Sequence, residues 1–165
     1  MKPTKLNTKI AGLINERLVD EYTAFITYQS ISNWAIGAGY QKAGEFFLNE
    51  SNDELVHARK IQSFLCDWNV TPEIPVIEKP KLVFKSLVEA IETGYALELN
   101  LYEKYNDICE TIEELDSAVY QFLTFFLNIQ TESVAQYSDF LNILEGCDTS
   151  SKFEMVMLEN KLFGT

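Results

Sequence analysis

The sequence predicts an all-α protein: a four-helix bundle with a long connection between the second and third helices and a short fifth helix. Three observations lead to this class. Only four prolines and seven glycines occur among 165 residues, and they cluster between long stretches. Within those stretches apolar residues recur in steps of three and four, the period of an α-helix. Apolar residues make up 47% of the chain, which suits one domain over 1–165.

The first two long helices are predicted to be antiparallel neighbours. The first is expected over 7–36, with an apolar stripe that Glu21 interrupts. Gly37-Ala38-Gly39 ends it. Because this link is so short, the second helix, over 40–68, must turn back alongside the first.

The segment 69–82 is predicted to be an extended crossover. Pro72, Pro75 and Pro80 prevent it from being helical throughout. Its 14 residues reach roughly 45 Å at ~3.3 Å each. A thirty-residue helix has about that length at ~1.5 Å per residue. The segment can therefore cross the whole bundle, which makes the second and third helices parallel.

Two long helices and a short one complete the chain. The third is expected over 83–112, followed by a short acidic turn around Glu113-Glu114. The fourth is expected over 116–145, where Gly146 stops it. A short apolar helix over 151–162 ends the chain.

Composition excludes several partners. The formal net charge is -12, from 13 basic and 25 acidic residues, and such a surface repels nucleic acid and anionic membranes. No apolar run reaches the ~18 residues of a membrane span, and the start of the chain lacks the apolar core of a signal peptide. Three cysteines, Cys66, Cys109 and Cys147, form no metal motif. Reduced thiols in a cytoplasmic protein are expected.

Each of the four long predicted helices carries a polar residue near its middle, on its apolar stripe. These residues are Glu21, Glu54 with His57, Glu98 and Gln130, in chain order. The midpoint of a helix lies at the same position along the bundle axis whether the helix runs up or down. A bundle of four such helices therefore brings these side chains to one level, facing inward.

Buried carboxylates need a compensating charge, because burying an ionised group alone costs several kcal/mol. The four stripes contain no lysine or arginine, and His57 offsets one charge at most. A pair of divalent metal ions is the predicted supplier. Oxygen ligands with one imidazole suit iron or manganese, and zinc less exclusively. The spacing of Glu54 and His57 also matches the Glu-x-x-His pairs of di-iron carboxylate bundles.

Other interpretations of these positions stay open. Protonated carboxyl groups, or a water-filled cavity, would also account for polar residues in the stripes. Glu50 lies on the second stripe, nearer the helix start, where solvent or the helix dipole is expected to satisfy it. Tyr28 lies two turns from Glu21 on the same face. It is either a core residue or a hydrogen-bond or electron donor beside the metal pair.

At these residues the chain resembles the non-haem ferritins, over nearly its whole length. Asp53-Glu54-Leu55-Val56-His57 is similar to their Glu-Glu-x-x-His motif, with Asp in the first place. Glu98 and Gln130 match a third-helix ligand and a fourth-helix glutamine. The segment resembling their first helix contains Asn15-Glu16, Glu21, Tyr28-Gln29 and Trp34.

The resemblance implies an iron-storing ferroxidase. Glu21, Glu54 and His57 would hold a first iron, and Glu54 would bridge to a second, held by Glu98 with Gln130 near it. Two ferrous ions per subunit would be oxidised by dioxygen or hydrogen peroxide. The ferric product would be stored as a hydrated oxide inside a homo-oligomeric shell of twenty-four subunits. No haem is expected, because none of Met1, Met155 and Met157 lies in a bundle helix.

The chain departs from the family pattern at several positions. A third iron site is expected to be degraded or absent, because Asp53, Ile129, Glu132 and Ser133 stand at its positions. Tyr120 and Leu123 replace acidic pore residues of animal ferritins, which leaves the route of iron into a shell open.

Two alternatives to a ferroxidase remain. One is a different di-iron or di-manganese oxidase or peroxidase, although a rubrerythrin-type Cys-x-x-Cys site is absent from the sequence. The other is a non-catalytic shell subunit, which the complete set of four acidic and imidazole ligands disfavours.

Overall fold

The computed structural model describes residues 6–111 and 116–164, and five α-helices form in these ranges. They are α1 (Thr8–Gly37), α2 (Gln41–Asp67), α3 (Leu87–Thr111), α4 (Ser117–Glu145) and α5 (Lys152–Phe163). The prediction of an all-α bundle with a short fifth helix is confirmed. The predicted turn at Glu113-Glu114 and the predicted end of the third helix at Ile112 lie outside the described residues. None of the five helices combines the length and hydrophobicity needed to cross a bilayer.

Side-chain caps determine where three of the helices begin. Asn7, Asp116 and Ser151 each precede a helix and accept a hydrogen bond from a backbone N–H of its first turn. These caps satisfy donors that have no partner inside the helix. Each of these three helices starts one residue after its predicted position.

The predicted start of the third helix, at residue 83, was wrong by four residues. Ser86 and Glu89 form a local cap at the true start. The Ser86 hydroxyl accepts from the Glu89 N–H at 3.1 Å, and the Glu89 carboxylate accepts from the Lys85 N–H at 2.5 Å. Phe84 is buried in the core although it lies outside the helix. The predicted helix thus included an apolar residue that packs into the core from non-helical chain.

The crossover runs along α1, as predicted. Near its beginning the Glu73 N–H donates to Asn15 Oδ1 at 2.8 Å, and near its end the Ser30 hydroxyl donates to the Lys81 carbonyl at 2.5 Å. Tyr28 contacts Glu98, and Glu21, earlier in α1, contacts Tyr105, later in α3, so α3 runs antiparallel to α1. Since α2 also reverses direction after α1, α2 and α3 are parallel.

Helix α5 closes the end of the bundle where α2 begins. The N-cap residue of α2 makes no side-chain capping bond. Instead the buried Glu159 carboxylate accepts hydrogen bonds from the Lys42 and Ala43 N–H groups, at 3.1 and 3.2 Å. Lys152 donates to the Ala38 carbonyl at the end of α1. The last helix therefore supplies the cap that α2 lacks.

The apolar core consists of two clusters, one towards each end of the bundle. The cluster at the α5 end contains Tyr28, Phe47 and Tyr137, and the opposite cluster contains Ile14 and Phe126. Along every long helix, the polar residue of the interrupted stripe falls between the residues of the two clusters. This arrangement places the buried polar side chains at mid-height.

Candidate metal centre

The polar residues that break the four stripes are buried side chains. Glu21, Glu54, Glu98 and Gln130 are each at most 4% exposed. The His57 side chain is 12% exposed and lies one helical turn from Glu54. Four helices thus direct three carboxyl groups, one amide and one imidazole into the interior.

Glu21, Glu54 and His57 form a group with the spacing of metal ligands. One ligand atom from each lies within 4.8 Å of the others. His57 Nδ1 is 3.0 Å from Glu54 Oε2 and 3.5 Å from Glu21 Oε2. The Phe126 ring packs edge-on against the imidazole, with centroids 5.7 Å apart. A cation between these three residues would meet two carboxylate oxygens and one ring nitrogen.

Glu98 and Gln130 are further buried polar side chains of the mid-height level. The negative charge of Glu98 acts on the Glu54 carboxyl group. Four buried atoms at this level have no hydrogen-bond partner: Glu21 Oε2, Glu98 Oε2 and both polar atoms of the Gln130 amide. Buried polar atoms are nearly always paired, so this concentration indicates a site that binds a polar or charged species.

Two tyrosine hydroxyls donate to the other carboxyl oxygens of Glu21 and Glu98. Tyr28 donates to Glu98 Oε1, and Tyr105 donates to Glu21 Oε1 at 2.5 Å. The Tyr28 ring also stacks with Phe47 in the core. Tyr28 therefore combines the two roles that the sequence left open, packing with its ring and donating with its hydroxyl. Tyr105 was not predicted as a site residue.

The electrostatics of the site favour either protons or cations. Burial raises the pKa of Glu54 well above its ordinary value, and the charge of Glu21 adds to the effect. Burial likewise raises the pKa of Glu98 to about 8. The nearby cations Arg17 and Lys104 instead pair with Asp20, at 2.7 and 2.5 Å. Over 6–111 and 116–164, no lysine or arginine forms an ion pair with the three buried carboxylates.

Glu50 is half-buried, so solvent reaches it in part, as expected, and it also has a partner inside the protein. The Tyr137 hydroxyl donates to its carboxylate at 3.4 Å. Burial raises the pKa of Glu50 to about 7, and the charge of Asp53 adds to the rise. Glu50 lies one turn from Glu54 along α2 and brings a further acid towards the same level.

The positions that depart from the family pattern differ in their exposure. At the positions of a third iron site, Asp53 and Glu132 are exposed. Of the two pore positions, Tyr120 is exposed, whereas Leu123 is fully buried in the apolar core. Leu123 consequently faces the inside of its own bundle rather than a surface that could line a pore.

Comparison with known proteins gives one consistent match. Residues 11–147 match the family model described as a ferritin-like domain. The chain is 27% identical over 154 residues to a bacterial non-heme ferritin of Staphylococcus haemolyticus, covering 90% of this chain and 93% of the relative. It is 29% identical to a probable bacterial non-heme ferritin-like protein of Haemophilus influenzae, covering 84% and 85%.

Solved structures agree with this fold. An open-pore ferritin from the hyperthermophilic archaeon Archaeoglobus fulgidus superimposes with a TM-score of 0.88 at 22% identity, covering 96% of this chain and 98% of that one. A humanized archaeal ferritin gives 0.89 at 23% identity, with 96% of each chain covered. At 22–23% identity these two superpositions show a shared fold and nothing more.

Proposed function

Because this chain belongs to the ferritin-like family, in its non-haem branch, we propose that it stores iron and oxidises ferrous ions at the mid-height cluster. One observation carries the proposal. Three buried carboxyl groups and an imidazole converge from three helices, and no lysine or arginine of the described residues pairs with those carboxyl groups. Divalent cations supply the charge that such a group requires.

Iron is the substrate of this site, and the donors fit it. Oxygen atoms together with one imidazole nitrogen suit ferrous iron. In the proposed arrangement Glu21, Glu54 and His57 hold the first iron, and Glu54 bridges to a second held by Glu98 and Gln130. The atoms without hydrogen-bond partners, Glu21 Oε2, Glu98 Oε2 and the Gln130 amide, support this assignment because each belongs to a proposed ligand.

The reaction needs little from the protein beyond positioning. Each ferrous ion gives one electron to the oxidant. Dioxygen takes two electrons and two protons to become hydrogen peroxide, and hydrogen peroxide takes two of each to become water. The side chains hold two cations close together with positions open to oxidant. The apolar clusters on both sides limit the access of water to the site.

Storage further requires an assembly, and we propose a homo-oligomeric cytoplasmic shell of twenty-four subunits. Exposed apolar side chains outside the bundle core support contacts with other copies. Val76 in the crossover is 96% exposed, and Phe153 and Met157 on α5 are 74% and 59% exposed. The mass of the particle in solution tests the assembly. A stable monomer or dimer would refute storage in a shell while leaving the metal cluster standing.

Stopped-flow absorbance after mixing the metal-free protein with ferrous iron in air tests the oxidation. We expect a fast phase in the wild-type protein and its loss in Glu54→Ala, because that substitution removes the central carboxylate. Glu45→Ala is the matched control, since Glu45 is an exposed carboxylate on the same helix. Slow autoxidation alone in the wild-type protein would refute the ferroxidase and favour a non-catalytic shell subunit.

A further inference from the structure

The two tyrosines at the site form a reciprocal pair. Tyr28 of α1 donates to Glu98 of α3, and Tyr105 of α3 donates to Glu21 of α1. In each helix the tyrosine follows the glutamate by seven residues, which is two turns. Because α1 and α3 are antiparallel, the two glutamate–tyrosine pairs occupy equivalent places about a local twofold arrangement.

Each hydroxyl engages one oxygen of a carboxyl group and leaves the other available. Glu21 Oε1 and Glu98 Oε1 accept from the tyrosines, whereas Oε2 of each glutamate has no hydrogen-bond partner. Both tyrosine side chains are fully buried, so water does not compete for their hydroxyls. The orientation of each carboxyl group therefore depends on a donor from the opposite helix.

The Tyr105 ring is itself held in place by aromatic packing. It stacks on Phe126 with centroids 4.7 Å apart and planes within 8° of parallel. The same Phe126 ring contacts His57 edge-on. One phenylalanine of α4 thus supports both the imidazole and the phenol that donates to Glu21.

We propose that Tyr105 is a positioning residue for the first metal ion. By holding Glu21 Oε1, it presents Glu21 Oε2 to the space shared with Glu54 and His57. Tyr28 acts in the same way on Glu98, on the side of the second ion. This inference rests on the proposed function, because it requires a cation at that level.

Tyr105→Phe separates positioning from packing, since it removes only the hydroxyl and keeps the ring that stacks on Phe126. Tyr22→Phe is the matched control, because the Tyr22 hydroxyl is bonded to the Gln62 amide rather than to a buried carboxylate. Tyr28→Phe is the reciprocal variant. Cobalt(II), added without oxygen to the assembled metal-free protein, serves as the probe. Its visible d–d spectrum reports the number and geometry of ligands, and titration reports affinity.

We expect Tyr105→Phe to weaken binding of the first cobalt equivalent about 10-fold, the usual effect of losing a group that orients a ligand. Its d–d spectrum should also change. Tyr22→Phe should alter neither property, and Tyr28→Phe should act on the second equivalent.

Three results would overturn the inference. One is a Tyr105→Phe variant with wild-type affinity and spectrum. Another is a lowered melting temperature with an unchanged spectrum, since that would reduce Tyr105 to a packing residue. The third is weakening of the same equivalent by both tyrosine variants. Failure of the wild-type protein to bind cobalt would refute the proposed metal centre itself, and with it this inference.

Discussion

Glu50 gives a prediction about the stability of the metal-free protein. Burial raises the pKa of its carboxyl group from 4.5 to about 7. A shift of this size corresponds to about 3 kcal/mol, and about 2 kcal/mol after allowance for partial exposure. Below pH 4.5 the group is protonated in both the folded and the unfolded chain. Between pH 4.5 and 7 the unfolded chain releases the proton while the folded chain keeps it, so stability falls as pH rises.

Glu50→Gln removes this dependence. The glutamine oxygen can still accept from the Tyr137 hydroxyl, but the side chain carries no charge at any pH. We therefore expect the variant to gain about 2 kcal/mol relative to the wild-type protein between pH 5 and pH 8. For a chain of this length, that corresponds to a relative shift in melting temperature of roughly 4–8 °C. The charge of Glu50 also raises the pKa of Glu54 and of Glu98, so its removal lowers both pKa values and adds to the gain of the variant at high pH in the same direction.

Differential scanning calorimetry at pH 5 and pH 8, in the presence of a chelator and at one scan rate, measures the effect. Glu45→Gln is the control, because Glu45 is an exposed carboxylate on the same helix. The reasoning fails if the difference in melting temperature between Glu50→Gln and the wild-type protein is the same at both pH values.

Three further predictions follow from the packing, the capping and the proposed metal site. A Cβ on Gly94 would lie 2.4 Å from Tyr137 Cε1, so Gly94→Ala should cost about 1–3 kcal/mol in a thermal melt. Gly12→Ala, in open space on α1, should not destabilise the protein. Glu159→Ala should speed amide hydrogen exchange at Lys42 and Ala43, with a loss of about 1 kcal/mol, and leave the start of α4 unchanged. Cobalt(II) at 100 times its dissociation constant should stabilise the wild-type protein by about 2.7 kcal/mol per site, but not Glu54→Ala. Equal melting curves with and without cobalt, equal exchange, or a Gly94→Ala protein of wild-type stability would contradict the respective prediction.

The fold was predictable because its local signals agree with one another. Long runs of helical period, separated by proline and glycine, indicated the order of the helices and the extended crossover. Four helix starts were predicted to within one residue, and at three of them Asn7, Asp116 or Ser151 caps the helix. The start of α3 was missed because Phe84 contributes to the core from non-helical chain. Apolar character alone does not distinguish these two ways of being buried.

The candidate site was predictable as far as side-chain periodicity allows. A glutamate in an apolar stripe is visible in the sequence, as at Glu21 and Glu98. The direction of a hydroxyl is not, because a tyrosine in such a stripe has the same pattern as a phenylalanine. Tyr105 was therefore not predicted as a site residue, although its seven-residue spacing from Glu98 repeats that of Tyr28 from Glu21. The internal partner of Glu50 is not visible in the sequence either: it is the hydroxyl of Tyr137, whose ring fits against α3 only where Gly94 has no side chain.

The crossover has almost no spare length between its two attachments to α1. From Asn15 to Ser30 the helix rises roughly 22 Å, at ~1.5 Å per residue. From Glu73 to Lys81 a fully extended chain spans roughly 26 Å, at ~3.3 Å per residue. A deletion of two residues between these attachments would leave a segment too short to reach both, whereas an insertion would bulge into solvent. Among homologous chains, this stretch should accordingly tolerate lengthening far better than shortening.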